Sequence, residues 1–273
     1  MIGSLIAQEA RSLRRTLGGT AGILVLVTFV CLAGAALDIL LIGAVGLVVA
    51  ITAAVAFTPL VLGILAENYW RTMYGREGYF TMALPVAGRS LFAAKVIFGL
   101  ITAFAAAVAS VALLLACAAA FALSIDQHPA RSIREGLAQI PDGMGVFLAI
   151  ALSLQLIYLV IVGAALMSIG ASARFNHLGF GAPVIGGVVT YVVMTAVSFV
   201  AMLLVPLGIA IDGPDAGAFV AEGMLPTFLA QVAGHSPDGP EVVGVGVLFT
   251  SVAASVVFAV WGARTVERST SLR

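Results

Sequence analysis

Residues able to do chemistry are sparse in this chain and gather in one stretch, Glu67-Asn68-Tyr69-Trp70-Arg71-Thr72-Met73-Tyr74-Gly75-Arg76-Glu77-Gly78-Tyr79-Phe80-Thr81-Met82-Ala83-Leu84-Pro85-Val86. Four charged side chains, Glu67, Arg71, Arg76 and Glu77, fall within eleven positions there. Their types speak for recognition rather than bond-making. Tyr69, Trp70, Tyr74, Tyr79 and Phe80 supply rigid amphipathic surface of the kind enriched at protein interfaces. Arg71, Arg76 and Glu77 add charge complementarity. Gly75 and Gly78 permit tight backbone geometry. Pro85 stops a helix and redirects the chain. An interfacial aromatic belt with basic anchors accounts for the rings and arginines, but it calls for neither two glycines nor a proline in so short a space.

The groupings that catalysis or energy coupling require are missing elsewhere. No nucleophile–base pair stands out, and the Gly-x-x-x-x-Gly-Lys-Ser/Thr phosphate loop is absent, so the chain does not bind ATP that way itself. His128 and His235 have no clustered third ligand with which to hold a metal. No Asp, Glu, Lys, Arg or His falls in the middle of a long apolar run, which argues against a proton relay. Lys95, near the start of one run, is expected to snorkel to the interface. Gln155 and Tyr158, three apart on one helical face, are candidate pathway-lining residues. Hydroxyls such as Thr28, Ser110, Ser198 and Thr250 are expected to bond their own backbone or a neighbouring helix. Cys31 and Cys117 read as small buried hydrophobes. The chain itself is thus assigned no catalytic residue, no metal and no cofactor.

The elements that must position these residues follow from composition. The chain is 62% hydrophobic and 10% charged, with mean hydropathy +1.15. Soluble domains are nearer about 45–50% apolar and about 25% charged. The surplus apolar surface must face lipid, and a helix that spans it needs about 20 apolar residues. Six runs qualify, near residues 20–37, 39–66, 91–123, 146–170, 183–211 and 242–263. The expected fold is all-α: one polytopic transmembrane domain over 1–273 with six helices, and a polar segment at 67–90 between the second and third. Pro59 and Pro206 are expected kink points. The alanine-dense third run is expected to pack on several sides.

Residues 1–18 predict an amphipathic helix. Ile2, Leu5, Ile6, Ala10, Leu13 and Leu17 share one arc, interrupted by Glu9 and Thr16, with Arg11, Arg14 and Arg15 opposite. Such a helix lies on a leaflet with its arginines toward head groups. Arg11 to Arg15 followed by an apolar run also has the form of a signal peptide, but the run is expected to stay as the first span. Basic residues set the orientation. With a cytosolic N-terminus, eleven of the thirteen Lys and Arg lie inside, and only Arg131 and Arg134 outside. Both termini are then cytosolic, and the connections 124–145 and 212–241 are external. In the first, Pro129 opens a short helix. The second, with Phe219, Val220, Met224, Leu225, Phe228, Leu229 and Val232, is too apolar for a solvated loop and is expected to dip back toward the bilayer or to cap the spans. Net charge is zero, and no nucleic-acid partner is expected.

Tyr74-Gly75-Arg76-Glu77-Gly78-Tyr79-Phe80-Thr81, then Leu84-Pro85-Val86, then Arg89 and Lys95 entering the third run, resembles the inner loop of bacterial ABC exporter permeases of the type-2 class. The six-span layout, the amphipathic N-terminal helix and the apolar segment before the sixth span resemble that family too. The resemblance implies an inner-membrane permease whose loop holds a coupling helix. Tyr74, Gly75, Arg76, Glu77, Gly78, Tyr79 and Phe80 would then dock on a separate cytosolic ATPase subunit, which carries the ATP and magnesium. It also implies a dimer of permeases, identical or homologous, among membrane lipids, exporting a drug, antibiotic, lipid, polysaccharide or peptide. No insertion marks a particular substrate. Two other classes fit the composition, an ion-coupled secondary transporter and a non-transporting scaffold or accessory protein. The first usually carries internal repeats with broken helices, and no such repeat is evident.

Overall fold

The structure, a computed structural model, describes residues 2–35, 40–75, 78–83, 85–211, 216–234 and 242–268. The chain is a helical membrane protein with six helices long and apolar enough to cross a bilayer. They are α1 (Ile2–Ala35), α2 (Leu40–Met73), α4 (Gly88–Ser124), α6 (Asp142–Gly170), α7 (Gly181–Leu204) and α9 (Gly246–Arg268). Three short helices join them: α3 (Gly78–Met82), α5 (Pro129–Ala138) and α8 (Leu225–Val232). The described residues also include a 3-10 turn, Asn176–Leu178, and three short strands, β1 (Gly208–Ala210), β2 (Phe219–Val220) and β3 (Val242–Gly244). Apolar side chains such as Phe29, Val108, Leu152 and Val188 lie exposed on the long helices. That pattern suits lipid as the solvent, because each helix satisfies its own backbone there.

The chain divides into two compact units, Met1–Gln139 and Ile140–Leu272. In the first, α1, α2 and α4 pack mutually. Phe57, Val61 and Ala106 form a buried cluster, and Leu17, Ala21, Leu24, Leu65, Ala109 and Leu113 close over it. Thr58 and Ser110 bond hydroxyl to hydroxyl at 2.9 Å between α2 and α4. The small side chains Ala103, Ala106 and Ser110 are all buried, so the alanine-dense helix does pack closely on its neighbours. α1 and α2 have 34 residues each and α4 has 37. At 1.5 Å per residue they are about 50 Å long or more, against a hydrocarbon core of about 30 Å. The surplus is polar: the arginine-bearing start of α1, the 67–73 end of α2 and the start of α4.

The amphipathic N-terminal segment is not a separate helix. It is the first half of α1, which runs without a break through Gly18 and Gly19 into the apolar half. Nor does its apolar face rest on lipid alone. Leu13 is buried, and Glu9 turns toward α2 and α4. Arg11, Arg14 and Arg15 remain exposed.

In the second unit α6, α7 and α9 pack together, and Ser198 meets Thr250 at 2.8 Å between α7 and α9. Two boundaries differ from the sequence reading. Pro206 does not kink a span; α7 ends at Leu204, with Val205 in extended conformation before the proline. A residue ahead of proline disfavours the α region, and the chain leaves as β1. β1 pairs antiparallel with β2 and with β3, in the order β2-β1-β3, with Ile209 opposite Phe219 and Val243. Residues 242–244 are therefore strand, and α9 starts at Gly246. Phe219 packs edge-on to Phe147 of α6 and Phe228 of α8 edge-on to Phe199 of α7. The apolar connection does cap helix ends. Asp212, Asp215, His235, Asp238 and Glu241 lie outside the described residues.

Candidate functional site

The polar ends of α1, α2 and α4 come together around a buried cluster within the first unit. Asn68 and Thr72 lie one turn apart on α2, so both face the same neighbours. Lys95 stands two turns into α4, and Glu9 two turns into α1. The Lys95 ammonium bonds the Glu9 carboxylate and donates to Thr72 Oγ1 at 2.7 Å. Asn68 Nδ2 donates to the other Glu9 oxygen at 3.0 Å. Thr72 Oγ1 donates in turn to the Asn68 carbonyl at 2.7 Å. The ammonium also lies 5.8 Å from the centre of the Tyr69 ring, within cation–π range. The Lys95 and Glu9 side chains are only 5% and 16% exposed. A charge so buried must be paired and hydrogen-bonded, and these partners supply both needs.

Lys95 therefore does not snorkel to an interface; it points inward and joins three helices. Asn68, Tyr69 and Thr72 belong to the polar stretch that the sequence singled out, but their partner Glu9 does not, and the seven residues expected to dock are not among them. Its signal was the misfit of Glu9 on an apolar helix face, together with a lysine just inside a long apolar run.

The loop hangs from this cluster. α2 closes at Tyr74 and Gly75, whose amides both donate to the Trp70 carbonyl, at 2.8 and 3.0 Å. A Cβ on Gly75 would stand 2.7 Å from the Arg71 carbonyl oxygen, so glycine is needed for this closure. Gly78 donates to the Gly75 carbonyl at 2.9 Å as α3 begins, and Gly78 is itself buried. Thr81 Oγ1 of α3 donates to the Thr72 carbonyl at 2.7 Å. Thr72 thus holds Lys95 with its hydroxyl and α3 with its carbonyl. Pro85 lies between α3 and α4, and α4 starts beyond extended Ala87.

The aromatics of this segment divide by direction. Tyr69 and Tyr74 are buried; the Tyr74 ring lies 6.2 Å from that of Tyr69 and 5.6 Å from that of Trp70. Tyr74, expected on an outer docking surface, instead packs into the helix ends. Tyr79 and Phe80 on α3 face outward, at 54% and 81% exposure. Arg71 and Arg89 are exposed as well. Arg76 and Glu77 lie outside the described residues. Of the seven loop residues singled out, the structure brings Gly75 and Gly78 into the turn, Tyr74 into the packing, and Tyr79 and Phe80 to the surface.

Gln155 and Tyr158 are found on α6, exposed and half-buried respectively. Neither lines the cavity that opens in this unit. No family model, curated protein or solved structure matches the chain.

Proposed function

We propose that this chain is the membrane-spanning permease subunit of an ATP-driven exporter, of the kind its loop resembles. In this reading α3 is the docking element for a separate cytosolic ATPase. The observation that carries it is the short helix itself. α3 leaves two adjacent aromatic side chains exposed while its inner face is bonded through Thr81 to α2. An exposed aromatic pair on a firmly held helix suits a protein interface, where aromatic side chains act as anchors.

The mechanism follows from the bonds. A push on α3 reaches Thr72 through the Thr81 hydroxyl, and Thr72 passes it to Lys95 and so to α4 and α1. In this reading the chain is given no bond-making role, and ATP and magnesium belong to the partner. The exported substrate is amphipathic in this reading, and a second permease completes the assembly.

The reading is tested by purification of the tagged chain in mild detergent from its own cells. A bound protein carrying a Gly-x-x-x-x-Gly-Lys-Ser/Thr loop and hydrolysing ATP is expected. Phe80→Ala should reduce that protein's yield several-fold at unchanged expression. Transport driven by an ion gradient in vesicles holding this chain alone would replace the reading with secondary transport.

A further inference from the structure

Within the second unit, a cavity of about 520 Å³ opens between α6, α7 and α9, at the connection that joins α6 to α7. Its walls are apolar, with Leu166 and Ile169 from α6, Ile185 and Val189 from α7, and Phe258 and Trp261 from α9. α6 and α7 converge tightly at the connection, where a Cβ on Gly170 would stand 2.5 Å from the Pro183 ring. Arg174, in the connection, is the one charged residue among the described residues that line the cavity. Its guanidinium lies 5.8 Å from the Phe175 ring centre. No carboxylate among the described residues forms an ion pair with it.

The lining on α7 runs from Ala182 to Thr190. Eight residues of helix rise about 12 Å. One leaflet contributes about half of the roughly 30 Å hydrocarbon core, so the trough is close to one leaflet deep. It joins a cation at its head to an apolar wall as long as most of an acyl chain. A purely apolar occupant would leave the guanidinium unused. A free phosphate would leave the walls bare.

With six spans as read from the sequence, four would precede this connection, an even number, which puts it on the side expected for the N-terminus. Basic-residue asymmetry predicts that this side is cytosolic, where the leaflet is anionic. We propose that this cavity is a binding site for an anionic phospholipid, with the phosphate on Arg174 and one acyl chain lying along α7 toward Thr190. The proposal stands apart from the exporter reading and does not depend on it.

Trp261 in the wall is 52% exposed and is one of two tryptophans in the chain. Its fluorescence, taken as the difference between the native chain and Trp261→Phe, reports occupancy of the cavity. The purified chain is placed in phosphatidylcholine vesicles that contain increasing fractions of brominated phosphatidylglycerol or brominated phosphatidylcholine. Half-maximal quenching of Trp261 is expected at a several-fold lower fraction of the anionic lipid. Arg174→Gln should bring the two curves together, while Arg174→Lys, which keeps a point charge for phosphate, should hold most of the gap. Arg174 is solvent-exposed, so a properly folded, monodisperse Arg174→Gln protein is expected. Equal quenching by both lipids in the native chain would mean ordinary solvation by the bilayer and would overturn the proposal. So would an anionic preference that survives Arg174→Gln. Absence of quenching by either lipid would mean that protein fills the trough, either a second copy or a partner.

Discussion

At the scale of residues, the Glu9–Lys95 pair explains why an apolar helix face tolerates a carboxylate and why a long apolar run tolerates a lysine. Each charge is paired with the other, and Thr72 accepts from the ammonium while Asn68 donates to the carboxylate. Removal of one partner leaves an uncompensated buried charge or a lost acceptor, which costs about 3–5 kcal/mol, whereas replacement of both partners together is often close to neutral. Glu9→Gln and Lys95→Met should therefore each lower the thermal unfolding midpoint in detergent. The double variant Glu9→Gln/Lys95→Met should recover much of the loss. Strictly additive losses in the double variant would show that the two residues do not act as a pair. Gly75 carries a different constraint, the 2.7 Å approach that a Cβ would make to Arg71. Gly75→Ala forces the α2 end to shift and should weaken docking of the loop while the spans still insert.

At the scale of elements, α3 has five residues, too few to hold a helix in isolation. Its order rests on Thr81 bonding the Thr72 carbonyl and on the Gly78–Gly75 bond. This separates two kinds of defect. Tyr79→Ala and Phe80→Ala remove outward aromatic anchors, a loss that reaches about 2 kcal/mol or more at an interface hot spot. On the exporter reading proposed above, they should lower the amount of bound ATPase. Thr81→Val keeps the outer surface but cuts the tether. It should leave ATPase capture near native while substrate-stimulated hydrolysis falls. If Thr81→Val stimulates as the native chain does, force does not pass through that hydroxyl. If both aromatic variants capture the ATPase normally, the aromatics serve as a membrane-interface belt.

At the scale of the molecule, the length of three helices in the first unit decides where its chemistry sits. Helices of about 50 Å or more cannot be held within about 30 Å of hydrocarbon, and their polar surplus gathers at one end, with the Glu9–Lys95 cluster at its centre. α5, at the opposite end of α4, bears Arg131 and Glu135 as an exposed i,i+4 pair. With Cys31 and Cys117 replaced by alanine, single cysteines at Ser4 and Arg131 test this arrangement. An impermeant maleimide on intact cells should label Arg131→Cys and spare Ser4→Cys until the membrane is opened. Labelling of Ser4→Cys alone would invert the orientation, and labelling of both would break the odd number of crossings between them.

What the sequence determined by itself is the part that depends on local composition. Lipid as solvent, six spans, the α5 helix opened by Pro129 and a short structured element near Gly78 were all legible, because apolar length and glycine or proline placement act over neighbouring residues. The hydroxyl pairs were legible as a class, since Ser110, Ser198 and Thr250 had few other options inside apolar helices. Only the tertiary structure decided which partners met. Glu9 and Lys95 are 86 residues apart, and no spacing rule links them. β1, β2 and β3 have two or three residues each, too few to carry an alternating pattern, so the connection read as apolar chain that dips toward the bilayer or caps the spans, without strands, and Pro206 read as a kink. Tyr74 and Tyr79 lie five apart in one aromatic segment, yet one is buried and the other exposed. The direction of each was set by the turn at Gly75 and by the helices that converge there, and those contacts exist only once the chain has folded.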